Sequence, residues 1–175
     1  MAQTFISRVL PDRFDRAVLK PALLFFMLPW LVSPGVAQSE TYSGPATVLH
    51  ANLLVVGGQR LRLWGIDVLE VDQVCYRQSA PWACGQQAFD HLRDLLDGVM
   101  LTCVRRGRED RGTAAKCAIG TLDVGAELIG RGYALPDTID SRTYYDQLFR
   151  EARGQGEGMF SGTYVTPQEW RDSTR

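Results

Sequence analysis

The chain has 175 residues and a formal net charge of −1. Its first 37 residues read as a leader, which leaves about 138 residues, enough for one domain with one core. Four of the 19 Lys and Arg and two of the 20 Asp and Glu fall in the leader, so the remainder carries a formal charge of −3. Proteins that grip long nucleic acid usually show a basic excess, so this balance counts against tight polyanion binding.

Residues 22–32 (ALLFFMLPWLV) form an unbroken apolar run. Arg8, Arg13, Arg16 and Lys20 precede it, and Ser33-Pro34-Gly35-Val36-Ala37 follows it. This is the order of a charged n-region, an apolar h-region and a small-residue cleavage site. The run is shorter than the roughly 18 to 20 residues of a membrane-spanning helix. Cleavage is expected after Ala37, giving a periplasmic or secreted protein. The alternative is an uncleaved N-terminal membrane anchor facing the periplasm. All four cysteines, Cys75, Cys84, Cys103 and Cys117, follow the leader. An even count in an oxidising compartment predicts two disulfides. Of the three pairings, Cys75–Cys84 and Cys103–Cys117 are preferred, because each joins neighbouring segments. The Cys-x-x-Cys spacing of a metal site is missing.

Residues 38–45 read as a polar, flexible segment, and 46–49 as a first strand interrupted at His50-Ala51-Asn52. Two strand-like runs, 53–56 and 59–63, are joined by Gly57-Gly58, the signature of a hairpin with a primed turn. In the second run Leu61 and Leu63 alternate with Arg60 and Arg62, so Arg62 points away from the leucine face. Asp67 and Glu70 follow where that strand ends. A cation and two carboxylates at a sheet's mouth can hold a metal ion and a phosphate; ordinary solvated charges are the alternative. Residues 72–82 read as a loop.

A helix is predicted over 85–97, with Ala88, Leu92 and Leu95 on one stripe, Gly98 as its stop and His91 outside the stripe. Strands are predicted at 99–106 and 114–119 around a charged turn. Arg105, Arg106, Arg108 and Arg111 make a local basic patch there. Asp123 is placed to cap a helix over 124–131, and Ser141 one over 142–153. Met159, Phe160, Tyr164 and Trp170 are expected to pack back onto the domain, and 172–175 form a tail. Strands first, one helix inserted and helices at the end give an α+β, mainly β fold. The expected architecture is a five-stranded, partly open OB-type barrel with about three helices. A flat sheet with helices on one face is the alternative.

A larger pattern runs through these elements. It comprises Arg62-Leu63-Trp64-Gly65-Ile66-Asp67-x-x-Glu70, Gln73-x-Cys75, Trp82-x-Cys84-Gly85-x-x-Ala88, Cys103, Cys117 and Gly132-Tyr133-Ala134. It continues through Tyr145, Ala152-Arg153, Gly158 and Pro167-x-x-Trp170-Arg171. The ordered set resembles the staphylococcal nuclease (thermonuclease) family, in particular its secreted, cysteine-containing bacterial branch, over residues 46–171. The resemblance implies an SNase-like OB-fold domain that hydrolyses DNA or RNA with Ca2+. Arg62 then stabilises charge on the phosphate, and Glu70 acts on water as general base. Asp67 matches one calcium ligand, and Asn52 stands where the family has a second carboxylate. Losing that charge lowers calcium affinity. Counting back from Cys117, the family's second arginine falls on Gly112, with Arg111 adjacent. A one-residue shift turns a strand side chain to the other face, so Arg111 substitutes only if the turn is remodelled. The incomplete set implies weakened or lost hydrolysis. The alternatives are a non-catalytic OB module that binds a protein, a short oligonucleotide or another anionic ligand, and a subunit of an envelope assembly. Contact with the membrane is expected only if the leader stays uncleaved.

Overall fold

A computed structural model describes residues 39–109 and 112–175, and side chains at all of these except 108 and 109. The leader and Arg111 lie outside the described residues. The strands β1 (Thr41–His50), β2 (Leu53–Val56), β3 (Gln59–Leu63), β7 (Met100–Glu109) and β8 (Gly112–Ile119) run β3-β2-β1-β7-β8. Parallel pairing of β3 with β8, Arg62 opposite Ala114 and Leu63 opposite Ala115, closes the barrel. The result is the expected OB-like α+β fold, closed rather than partly open.

The hairpin between β2 and β3 forms as predicted. Gly57 and Gly58 take φ of 56° and 83°, the two positive values a type I′ turn requires. Gly57 also lies against β1: a Cβ there would stand 2.6 Å from the Ser43 carbonyl oxygen. β1 begins at Thr41, five residues before the predicted start, and residues 41–45 pair with β7 instead of hanging loose. Pro45 has no N–H, and it marks the point where β1 changes partner from β7 to β2.

The alternating residues Leu54, Leu61, Leu63, Leu101 and Cys103 fill the barrel interior. Helix α1 (Cys84–Leu96) adds Ala88, Leu92 and Leu96 to the same core. A fully buried leucine contributes about 1.5–3 kcal/mol relative to exposure, so this shared core dominates the fold's stability. The segment predicted as a loop before α1 holds a small hairpin, β5 (Cys75–Arg77) with β6 (Ala80–Trp82). It turns through Gln78 and Ser79, both at positive φ without a glycine. β4 (Ile66–Val68) pairs with β10 (Ala134–Pro136), and β9 (Leu122–Asp123) turns back to pair antiparallel with the end of β8.

Asp123 caps α2 (Val124–Gly130) as expected, accepting from the Gly125 and Ala126 amides. Helix α3 (Ile139–Gln155) starts three residues earlier than predicted. Thr138 is its cap, and Ser141 is the N3 partner whose hydroxyl oxygen accepts from the Thr138 amide. A fourth helix, α4 (Pro167–Ser173), lies in the segment read only as packed tail.

Both disulfides form as predicted, Cys75–Cys84 and Cys103–Cys117. Cys103 and Cys117 are directly opposite on β7 and β8, so their bond pins that register. Two disulfides point to an oxidising, extracellular or periplasmic environment. Among the described residues no helix is long and apolar enough to cross a membrane.

Candidate functional site at the barrel mouth

β4 ends the run that follows β3, and it places Asp67 and Glu70 on one rim of the barrel. Between them Val68 and Leu69 are buried, and the Leu69 amide donates to the Tyr133 carbonyl. Glu70 is held at its backbone from two sides. Its amide donates to the Gln73 side-chain oxygen (3.1 Å), and its carbonyl accepts from the Gln73 amide (2.9 Å). Gln73 is fully buried, and its Nε2 donates to the Val165 carbonyl at 2.8 Å. The first turn of α1 presses on the same carbonyl. A Cβ at Gly85 would stand 1.6 Å from the Glu70 oxygen, so only glycine fits there.

α4 covers this rim. Thr166 and Glu169 form a reciprocal capping box at its start, with Pro167 in the first turn. The Trp170 indole N–H donates to Asp72 at 3.1 Å. Arg171 then inserts its guanidinium between the two rim carboxylates. Nη1 lies 2.8 Å from Asp67 Oδ1 and 2.7 Å from Glu70 Oε1, and Nη2 lies 3.0 Å from Asp67 Oδ2. Nη2 also donates to Gln168 at 2.8 Å. The Arg171 and Asp67 side chains are mostly buried, at 16% and 14% exposure. The hydrogen bonds to Asp67 raise the Arg171 pKa above the ordinary arginine value; burial opposes this, and Glu70 adds to it. Arg171 is therefore a fixed cation whose fork matches Asp67 in the bidentate way.

Arg62, Asn52, Glu70 and Arg171 line one depression of about 200 Å3, with His50 at its edge. The structure thus brings Arg62, Glu70 and Asn52 to a common pocket, and Arg171 joins Glu70 to Asp67. Gly112, the gap-free match to the family's second arginine, begins β8 opposite Glu109. His91 sits beside Glu127, with its Nε2 3.3 Å from that carboxylate and no part in the mouth.

Calcium does not fit these residues as they stand. Both oxygens of Asp67 and one of Glu70 already accept from Arg171, and Asn52 brings no charge. Calcium needs six to eight oxygen ligands, anionic ones above all. Among the described residues no group of three or more His, Cys, Asp or Glu is arranged to hold a metal. The resemblance includes Trp170-Arg171 and implies no role for either. The local signal for α4 was present in Thr166-Pro167-x-Glu169, but its docking partners lie about 100 residues away in sequence.

No protein-family model matches the chain. It is 26% identical over 138 residues to the succinoglycan biosynthesis protein ExoI of Rhizobium meliloti (strain 1021), covering 74% of this chain and 70% of that protein.

Proposed function

We propose that this chain is an exported, thermonuclease-like barrel that no longer hydrolyses phosphodiesters and works as a binding module of the cell envelope. The observation that carries the reading is Arg171. Its guanidinium supplies, from within the chain, the positive charge that a divalent ion would bring to Asp67 and Glu70. Both Asp67 oxygens and Glu70 Oε1 already accept from Arg171, which competes with water and with a metal ion for them. Loss of one transition-state charge stabiliser costs on the order of 100- to 1,000-fold in rate, and the neutral Asn52 adds to that deficit. The likeness to a protein named for succinoglycan biosynthesis supports an envelope setting. The test is cleavage of single-stranded DNA by the purified, oxidised protein with calcium and then manganese. The proposal expects no cleavage above that of a Glu70→Gln variant. Metal-dependent cleavage that Glu70→Gln abolishes overturns it.

A second reading is a phosphodiesterase that works only when α4 undocks. The shared pocket of Arg62 and Glu70 favours it. It requires that Arg171→Ala gain metal-dependent cleavage, whereas the first reading expects that variant to stay inactive.

A further inference from the structure

The basic patch read from the sequence divides in the structure. Arg105 pairs with Glu40 at 2.9 Å. Arg106 goes elsewhere. The β7–β8 register shifts between Arg105 and Gly107, so Arg106 is the extra residue of a β-bulge, a device that re-aims a side chain. Its guanidinium lies 5.9 Å from the centre of the Trp64 ring, and among the described residues no carboxylate pairs with it.

Arg106 stands over a trough on the outer face of β7 and β8. The opposed pairs Thr102–Ala118 and Val104–Lys116 form the floor, where small side chains leave room. Tyr144, on the second turn of α3, forms the wall and is 58% exposed. Its ring meets Trp64 edge-on, at 6.5 Å and 74°. Lys116 is already balanced: its Nζ lies 3.2 Å from Asp123 and 4.1 Å from the centre of the Tyr144 ring. Two depressions of about 340 Å3 each share Arg106, Lys116 and Tyr144, and Asp140 lies at the rim of one. Each volume falls in the range of small-molecule sites, roughly 300–1,000 Å3. None of the lining residues belongs to the barrel-mouth pocket.

We propose that this trough binds a short saccharide bearing a carboxylate. Arg106 offers a fork of N–H donors matched to a carboxylate. The exposed Tyr144 ring offers a flat apolar surface for the C–H face of a sugar ring, and Asp140 and Thr121 offer partners for its hydroxyls. A single-stranded nucleic acid suits the trough less well. Its successive bases stack on aromatic platforms that lie parallel to one another, whereas the Trp64 and Tyr144 rings stand at 74° and cannot take two adjacent bases. The proposal goes beyond the reading of the mouth and does not depend on it.

The test is titration of trigalacturonate into the purified, oxidised protein, followed by calorimetry and tryptophan fluorescence. Maltotriose and hexathymidylate serve as the neutral and nucleic-acid comparisons. The expected result is binding of trigalacturonate at least tenfold tighter than either. Arg106→Ala should weaken it tenfold or more, Arg106→Lys less, and Arg60→Ala, which removes the same charge elsewhere, should leave it unchanged. No binding at millimolar trigalacturonate, equal loss in Arg60→Ala and Arg106→Ala, or tighter binding of hexathymidylate overturns the proposal. The DNA-cleavage assay reads the mouth alone, so the two readings fail separately.

Discussion

Replacing Arg171 by alanine removes a guanidinium that bridges Asp67 and Glu70. Both carboxylates touch the same Nη1, at 2.8 and 2.7 Å, so these two oxygens are at most about 5.5 Å apart. Like charges about 5 Å apart at an effective dielectric near 20 repel by about 3 kcal/mol. Water reaches the vacated site and Glu70 is one-third exposed, so part of this is screened. Exposed pairs contribute about 0–1 kcal/mol and broken buried pairs cost about 3–5. Arg171→Ala should therefore cost about 2–3 kcal/mol in urea unfolding, or on the order of 10 °C in Tm. Arg171→Lys should recover only part, since an ammonium cannot reproduce the two parallel bonds to Asp67. The decisive arm is calcium. In Arg171→Ala the carboxylate pair is open, so millimolar calcium should raise Tm; saturation to 100 times Kd corresponds to about 2.7 kcal/mol. The parent protein should show no such rise. A variant as stable as the parent, or a parent that calcium stabilises equally, refutes the idea that Arg171 stands in for a metal.

Other expectations follow from the same contacts. Gly85→Ala forces a methyl to within 1.6 Å of the Glu70 carbonyl oxygen, so it should cost about 3 kcal/mol or more and lower the yield of folded protein. Removing the Cys103–Cys117 bond by a double alanine substitution frees a loop of 14 residues' separation and should cost about 3 kcal/mol in urea unfolding. The pKa of Glu169 is lowered, first by the Thr166 amide and then by its hydroxyl. A depressed carboxylate contributes stability above its unfolded pKa and loses it as pH falls through the folded value. Protection factors of the α4 amides, taken against the intrinsic exchange rate at each pH, should therefore fall as pH drops below the usual carboxylate range, and Glu169→Gln should flatten that dependence relative to the parent.

Local chemistry was legible wherever the determinants lay close in sequence. Gly57-Gly58 between alternating strands specified the hairpin, and neighbouring segments specified both disulfide pairings. The alternation of Leu61 and Leu63 with Arg60 and Arg62 placed Arg62 outside the core. Boundaries failed where two signals competed. Ser141 is a good N-cap residue by type, but Thr138 three residues earlier takes that place and uses Ser141 as its box partner. The polar run 41–45 looked loose because its apolar alternation is weak; pairing with β7 orders it all the same. The site was half legible. Arg62, Glu70 and Asn52 do share a pocket, and Asp67 meets Glu70 through one group. That group, Arg171, was out of reach, because no periodicity links it to carboxylates 101 and 104 residues away.

The most direct measurement is a crystal structure of the oxidised protein grown with manganese, read by anomalous scattering at the barrel mouth. The account predicts the Arg171 guanidinium between Asp67 and Glu70 and no manganese peak there. A manganese ion bound by Asp67, with Arg171 swung away, would contradict it and return the mouth to metal-dependent chemistry.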